Sequence, residues 1–250
     1  MVLLADQVYK KFAQKLGPDQ IATPKALHII DHYLVKFLAK CSSDQNLQIT
    51  PKITTNNSKK GGVRAQGTII EIGSGIGTIT ELLQTRILQS SADFKLICYE
   101  TNEWCIDQLQ SNIPSNYILC KDISEILDAV PNNDPVFLVI DEYITYDQTQ
   151  ELLNKLAIKF VIIEGHRFRQ RKAVGRLLLK KAYTIKFYGN SFNSVKGAVV
   201  FKVIKQPFRF LSFFNCFRLN LQSNIYVRKL LQFCGIRKRL LLNKLYKSLV

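Results

Sequence analysis

A glycine-rich turn constrains this chain more than any other feature. Residues 68–72 form an apolar run of strand length, glycines follow at 73, 75 and 77, and the helical segment TITELLQ comes next. Glycines let a chain turn sharply and let a ligand approach the backbone with no Cβ in the way. The pattern predicts a ligand site at the carboxyl end of a buried strand. It is not the GxGxxG fingerprint of dinucleotide-binding folds, because the sixth position from Gly73 is Thr78.

Short apolar runs alternate with helical patterns from residue 67 onward. The runs read TIIEI, KLICYE, NYILC, PVFLVID, KFVIIE, AYTIKFY and GAVVFKV. This alternation predicts an α/β fold with a doubly wound, mostly parallel sheet of seven strands that helices cover on both faces. The last two runs have no room between them for a long helix, so we expect them to pair as an antiparallel hairpin and the final strand to be antiparallel.

The segments on either side of this region have a different character. Helical spacing predicts helices at 2–16 and 24–41, the second beginning at Thr23-Pro24, so residues 1–41 are assigned to N-terminal helices. Residues 42–66 are rich in Ser, Asn, Gly and Lys and are predicted to be a polar linker. The α/β domain spans 67–204. Residues 205–250 are predicted to be a basic C-terminal extension of amphipathic helices.

Charge is divided unevenly along the chain. Residues 1–164 hold 15 Lys and Arg against all 19 Asp and Glu, whereas the remaining 86 residues hold 20 Lys and Arg and no acid. Such segregation suggests a partner that is anionic. The extension could adsorb to an anionic membrane surface, bind RNA, or dock its apolar stripes on the core or a second subunit.

Targeting signals and metal-ligand motifs are not evident in the sequence. The first residues lack a secretory apolar region, and no uncharged apolar run approaches the roughly 18 to 20 residues that a spanning helix needs. The six cysteines are scattered singly, without zinc-ligand spacing. We expect a cytoplasmic protein with reduced thiols and no bound metal, with peripheral membrane attachment as an alternative.

Residues 71–77, EIGSGIG, resemble motif I of the class I S-adenosylmethionine (SAM) dependent methyltransferases, commonly (E/D)xGxGxG. The resemblance covers about residues 66–204 and implies a Rossmann-like domain that binds SAM. It implies that Glu100, 23 residues beyond the loop, accepts the ribose hydroxyls and that Asp122 contacts the adenine amino group. The complete set of cofactor residues that it implies is Glu71, Gly73, Ser74, Gly75, Gly77, Glu100, Thr101, Asp122 and Ile123.

A hydroxyl acceptor must lose a proton when it is methylated, and two side chains are predicted to take it. Asp141 ends the fourth apolar run, at the mouth where donor and acceptor meet, and His166 has a naturally suited pKa. The turn around His166 reads EGHR, where many small O-methyltransferase-type domains read His-Asp. A divalent cation held by Asp141, Glu142 and Glu164 is an alternative.

The sequence therefore predicts a SAM-dependent methyltransferase that acts on a hydroxyl of a small molecule, glycan or lipid. Methylation of amino groups on bases is disfavoured, because residues 141–144 read DEYI where those enzymes carry (N/D)PP(Y/F). Two alternatives stay open. One is an RNA methyltransferase that uses the basic C-terminal face, and the other is a catalytically silent SAM-fold protein that binds a membrane or partner through its tail.

Overall fold

The computed structural model describes residues 3–15, 17, 21–46, 66–90, 93–114, 116–165, 167–180, 184–188 and 198–204. In these ranges one mixed sheet is covered by helices on both faces. The elements in chain order are α1 Leu4–Phe12, α2 Pro24–Asn46, β1 Gln66–Ile72, α3 Thr78–Gln89, β2 Asp93–Tyr99, α4 Glu103–Asn112, β3 Ile118–Cys120, α5 Ile123–Ala129, β4 Pro135–Ile140, α6 Tyr146–Lys155, β5 Ala157–Glu164, α7 Phe168–Lys180, β6 Thr184–Tyr188 and β7 Ala198–Ile204.

The strand order is β3-β2-β1-β4-β5-β7-β6. Strands β1 to β5 pair in parallel, and β7 runs antiparallel to both of its neighbours. The predictions of a mostly parallel α/β sheet and of an antiparallel last strand are confirmed. The predicted basic extension at 205–250, and residues 47–65 of the predicted linker, lie outside the described residues.

The strands read as continuous apolar runs because both faces of the sheet are buried. Ile69 and Ile70 are neighbours on β1, point to opposite faces and are both fully buried. Helices α1 to α4 pack on the Ile69 face, and α5, α6 and α7 pack on the Ile70 face. The sheet thus lies between two helical layers, and only its edges and strand ends are accessible to a ligand.

The two N-terminal helices are part of this core. Phe37 of α2 lies among three phenylalanines of the sheet, with ring centroids 5.9 Å from Phe94, 5.4 Å from Phe137 and 6.5 Å from Phe160. A bidentate ion pair joins Arg86 of α3 to Asp31 of α2, at 2.6 and 2.8 Å. The N-terminal helices therefore complete one layer of the α/β fold.

The bounds of the N-terminal helices differ from the predicted ones. The first helix spans Leu4–Phe12 rather than 2–16, and α2 continues to Asn46, five residues beyond the predicted end at 41. The helix accommodates the polar residues after 41: the hydroxyls of Ser42 and Ser43 donate hydrogen bonds back to the carbonyls of Leu38 and Lys40. At the other end of the predicted linker, residue 66 already belongs to β1. No helix in the described ranges combines the length and apolarity that crossing a bilayer requires.

We expect Phe37→Ala to lower the free energy of unfolding by about 3 to 5 kcal/mol, because it opens a cavity between α2 and three aromatic rings of the sheet. Urea denaturation followed by circular dichroism measures the change. Val35→Ala is the matched control, since Val35 is 44% exposed on the same helix, and it should leave stability nearly unchanged. Equal effects of the two substitutions would show that α2 does not contribute to the core.

Candidate functional site

The carboxyl ends of the parallel strands form one rim of the sheet. The register pairs Ile72 with Tyr99 and Ile140, and Tyr99 with Cys120, so the last residues of β1 to β4 lie side by side. The chain leaves β1 toward β2 on one side and leaves β4 toward β5 on the other. Open α/β sheets bind ligands at such a reversal of strand order, in the crevice outside the strand ends.

The glycine turn lies at this reversal and approaches the end of β4 closely. The N–H groups of Gly73 and Ser74 both donate to the carbonyl of Tyr99, at 2.8 and 3.2 Å. Gly73 has a φ of +83°, and a Cβ at this position would lie 2.5 Å from the Cβ of Glu142. Gly77, with a φ of +99°, begins α3 as its N-cap. The turn therefore requires glycine both for its backbone conformation and for its packing.

Glu100 connects the glycine turn to the end of β2. One carboxylate oxygen accepts the N–H of Gly75 at 2.8 Å, and the other accepts the N–H groups of Thr101 and Asn102 at 2.9 Å each. The residue is 5% exposed. A carboxylate offers about four lone-pair sites, so three are used by the backbone and about one is left for a ligand. Glu100 thus holds the turn in place and keeps an acceptor at the rim.

The next acid along the rim is Asp122, at the N-cap of α5. It is exposed, and its carboxylate accepts the backbone N–H and the hydroxyl of Ser124, which lower its pKa. Thr101, which follows Glu100, is exposed, and Ile123, which follows Asp122, is buried. The residues predicted to contact ribose and adenine therefore follow adjacent strands, since the N–H of Glu100 donates to the carbonyl of Cys120.

Asp141 and Glu164, at the ends of β4 and β5, share one arginine. Nη1 of Arg167 lies 2.8 Å from Oδ1 of Asp141 and 3.2 Å from Oε2 of Glu164, and Nη2 donates to the backbone carbonyl of Asp141. Burial raises the pKa of Asp141 well above its ordinary value, the charge of Glu164 raises it further, and Arg167 opposes both. Asp141 is therefore a partly compensated carboxyl at the crevice.

Arg167 is the site residue that the sequence analysis did not identify. Gly165 has a φ of +64°, which turns the chain after β5 so that the guanidinium of Arg167 folds back over the strand ends. Glu164 and Arg167 are three residues apart, so the sequence could have predicted the ion pair between them. Its contact with Asp141, 26 residues away, depends on the pairing of β4 with β5.

Glu142 brings another carboxylate against the turn. Its Oε2 atom is buried and has no hydrogen-bond partner in the described part of the chain. Burial and the negative charge of Glu100 raise its pKa, and Arg167 opposes them. Buried polar atoms are generally paired in folded proteins, so this oxygen favours a cationic or hydrogen-donating ligand beside the turn.

Glu71 points away from the crevice. It is fully buried, its Oε2 accepts the hydroxyl of Thr80 at 2.7 Å, and the thiol of Cys98 lies 3.7 Å from the same oxygen. Burial raises its pKa from 4.5 to about 7. The structure thus places the Glu71 side chain between β1 and α3, and its predicted contact with a cofactor stays a prediction.

The predicted base His166 lies outside the described residues. Within those residues, no group of three or more His, Cys, Asp or Glu side chains is arranged to hold a metal ion. Asp141 and Glu164, two members of the alternative cation site, are occupied by Arg167. The rim therefore brings together Gly73, Ser74, Gly75, Gly77, Glu100, Thr101, Asp122, Ile123 and Asp141.

Comparison with known proteins gives low-identity structural likenesses. Neither a protein-family profile nor a curated protein matches the chain. Among solved structures it is similar to the SAH-bound methyltransferase PaMTH1 of Podospora anserina (8% identity, 82% of this chain and 89% of that chain, TM-score 0.46). It is also similar to the precorrin-6y C5,15-methyltransferase of Geobacter metallireducens (14%, 58% and 83%, 0.42) and to a SAM-dependent methyltransferase of Aquifex aeolicus (12%, 55% and 81%, 0.37). The strand order and the rim residues carry the proposal that follows.

We expect Glu71 to make stability depend on pH. The folded state keeps a proton up to about pH 7 that the unfolded chain releases near 4.5, so the contribution of Glu71 to the free energy of unfolding falls as pH rises through this window. The full change is on the order of 3 kcal/mol. Urea denaturation between about pH 4.5 and 8 should show a flatter profile for Glu71→Gln, whereas Glu103→Gln, at an exposed site, should follow the wild type. Parallel profiles for Glu71→Gln and the wild type would contradict the assignment.

Proposed function

We propose that the protein is a SAM-dependent methyltransferase that transfers a methyl group to a hydroxyl. The observation that carries the proposal is the glycine turn at the reversal of strand order, with the Glu100 carboxylate bonded to it. A crevice at this position takes a nucleoside-containing ligand, and its carboxylates favour one that carries positive charge. SAM, which joins an adenosine to a sulfonium and an ammonium group, has this chemistry.

The rim residues fit such a cofactor. Gly73 and Gly75 would present their backbone to the cofactor, Glu100 keeps about one acceptor site for a ribose hydroxyl, and Asp122 is exposed and would accept from the adenine amino group. The unpaired oxygen of Glu142 is available to the cationic end. Thr101 and Ile123 would border the adenosine, with Ser74 and Gly77 completing the turn. When bound, SAM supplies an electrophilic methyl group.

The protein's part in methyl transfer is orientation and removal of a proton. Alignment of the acceptor with the methyl group and exclusion of water can supply roughly 7 to 11 kcal/mol of the barrier. Asp141 lies at the end of β4, next to the turn, and its raised pKa makes it a stronger base than an ordinary carboxylate. Arg167 holds Asp141 in place and favours its ionised form, which is the form that accepts a proton. His166 remains a second predicted base.

Other parts of the proposal rest on the sequence. A small molecule, glycan or lipid as the carrier of the hydroxyl, a cytoplasmic location, and contact of residues 205–250 with RNA or an anionic membrane stay predictions. The acid-free composition of residues 165–250 supports an anionic partner. A catalytically silent protein that binds through its tail is the competing proposal, and it predicts weak or absent cofactor binding.

Titration calorimetry with SAM and S-adenosylhomocysteine tests the cofactor site. We expect binding at about micromolar affinity, weakened about 100-fold or more by Glu100→Ala, because charged hydrogen bonds to the ribose and the anchor of Gly75 are both lost. Asp122→Asn keeps the cap of α5 and should weaken binding several-fold. Glu103→Ala, an exposed carboxylate nearby, is the control, and thermal unfolding checks that each variant is folded. Absence of binding by folded wild-type protein would overturn the proposal.

Asp141→Asn tests the base. We expect it to bind S-adenosylhomocysteine like the wild type but to transfer the methyl group at least about 100-fold more slowly, since general-base catalysis contributes this much. Transfer of labelled methyl from SAM to fractionated cell extract measures the rate. Asp147→Asn, an exposed acid in the first turn of α6, is the control. Wild-type rates in Asp141→Asn would exclude Asp141 as the base.

A further inference from the structure

The fold turns the uneven charge of the sequence into two charged sides of one crevice. All 19 acids precede residue 165, and the strands that end in Glu100, Asp122 and Asp141 lie on the cofactor side of the rim or at its centre. The segments that follow β5 contain no acid. Their described parts form α7 and the strands β6 and β7, and these two strands lie at the opposite edge of the sheet from β3.

Helix α7 presents a row of cations on this second side. Arg169 and Arg176 are exposed and Lys172 is half-buried, at the i, i+3 and i+7 spacing that places side chains on one helix face. The row is about 10 Å long and begins at the rim. None of the three pairs with an acid within the described ranges. Three described apolar side chains of α7, by contrast, are buried on the sheet: Val174, Leu177 and Leu178.

Two exposed aromatic rings stand at the beginning of this row. Tyr143 is 61% exposed and Tyr146 is 40% exposed, both in the segment that follows Asp141. Arg167 ties this segment to the start of α7, because it donates to the Asp141 carbonyl. The tyrosines and the cationic row therefore lie at the ends of adjacent strands, next to the proposed base.

We propose that the acceptor is a single-stranded RNA whose phosphates lie along Arg169, Lys172 and Arg176 and whose bases stack on Tyr143 and Tyr146. This inference rests on the proposed function and names its substrate class, RNA, in place of the small molecule, glycan or lipid that the sequence predicts. Guanidinium groups bind phosphate, exposed aromatic rings stack with unpaired bases, and each ribose of RNA offers a hydroxyl to methylate.

The described surface favours RNA over a lipid bilayer. A membrane-binding helix exposes apolar side chains beside its cations, whereas Val174, Leu177 and Leu178 of α7 are buried. The neighbouring acids of α6 are few: Glu151 is paired with Lys155 at 2.9 Å, and Asp147 lies in the first turn. Arg167 compensates Asp141 and Glu164, which would otherwise repel a phosphate at the rim.

Fluorescence anisotropy of the full-length protein with a labelled, unstructured RNA of about 12 nucleotides tests the proposal, since sites for single strands cover about 4–16 nucleotides. We expect Arg169→Gln with Arg176→Gln to weaken binding about five- to tenfold and to reduce the slope of log affinity against log salt by about 1.4, the loss of two phosphate contacts. Lys25→Gln with Lys40→Gln is the matched control, because it removes two exposed cations from α2.

The tyrosine arm uses Tyr143→Ser against Tyr143→Phe, of which only the first should weaken RNA binding. Calorimetry with S-adenosylhomocysteine on the wild type and the same variants tells a failure of the proposed function from a failure of the RNA inference. The proposed function fails if the wild type does not bind this ligand. The RNA inference fails if the proteins bind S-adenosylhomocysteine but the Arg169→Gln, Arg176→Gln double variant binds RNA as tightly as the Lys25→Gln, Lys40→Gln control. Flotation with phosphatidylcholine vesicles that contain phosphatidylglycerol tests a lipid surface as the ligand instead. If the α7 variant alone lost vesicle binding and still bound RNA like the wild type, the cationic row would be a lipid site and the RNA proposal would be wrong.

Discussion

The close contact between Gly73 and Glu142 fixes the geometry on which the rest of the site depends. Position 73 accepts only glycine, because its φ is +83° and a Cβ there would lie 2.5 Å from the Cβ of Glu142. The contact sets how near the end of β1 comes to the segment after β4. On its other side the turn is bonded to β2 through the Tyr99 carbonyl and the Glu100 carboxylate. Backbone contacts from both directions therefore position the residues of the crevice.

This geometry concentrates carboxylates where burial makes charge costly. The structure compensates four of them in different ways. Glu100 accepts three backbone N–H groups, Asp141 and Glu164 share Arg167, and Glu71 keeps its proton up to about pH 7. Glu142 has an oxygen without a partner in the described residues. This oxygen lies beside the glycine turn, where a cationic or hydrogen-donating ligand would supply its missing partner.

Much of the fold could be predicted from sequence because burial on both faces makes each strand a continuous apolar run. The glycine turn, in addition, marks the strand at which the order of the sheet reverses. The end of α2 was predicted wrongly because its polar residues resemble a loop, whereas in the helix the hydroxyls of two of them bond to earlier carbonyls. Side chains alternate between the two faces of a strand, so the sequence already indicates that Glu71 shares a face with Ile69. In the structure this is the face that α3 covers. The link from Arg167 to Asp141 is tertiary, and no local pattern contains it.

Chain order explains how one crevice could serve two ligands of opposite charge. In this doubly wound sheet β5, β7 and β6 lie successively farther from the reversal, so a composition that changes after β5 becomes a difference across the site. Here the acids end at Glu164, and the cations that lead into α7 begin three residues later at Arg167. Arg167 stands at that boundary and lowers the negative charge facing the second side. A cationic methyl donor and a polyanionic acceptor can then meet at Asp141 without either one crossing a surface of its own charge.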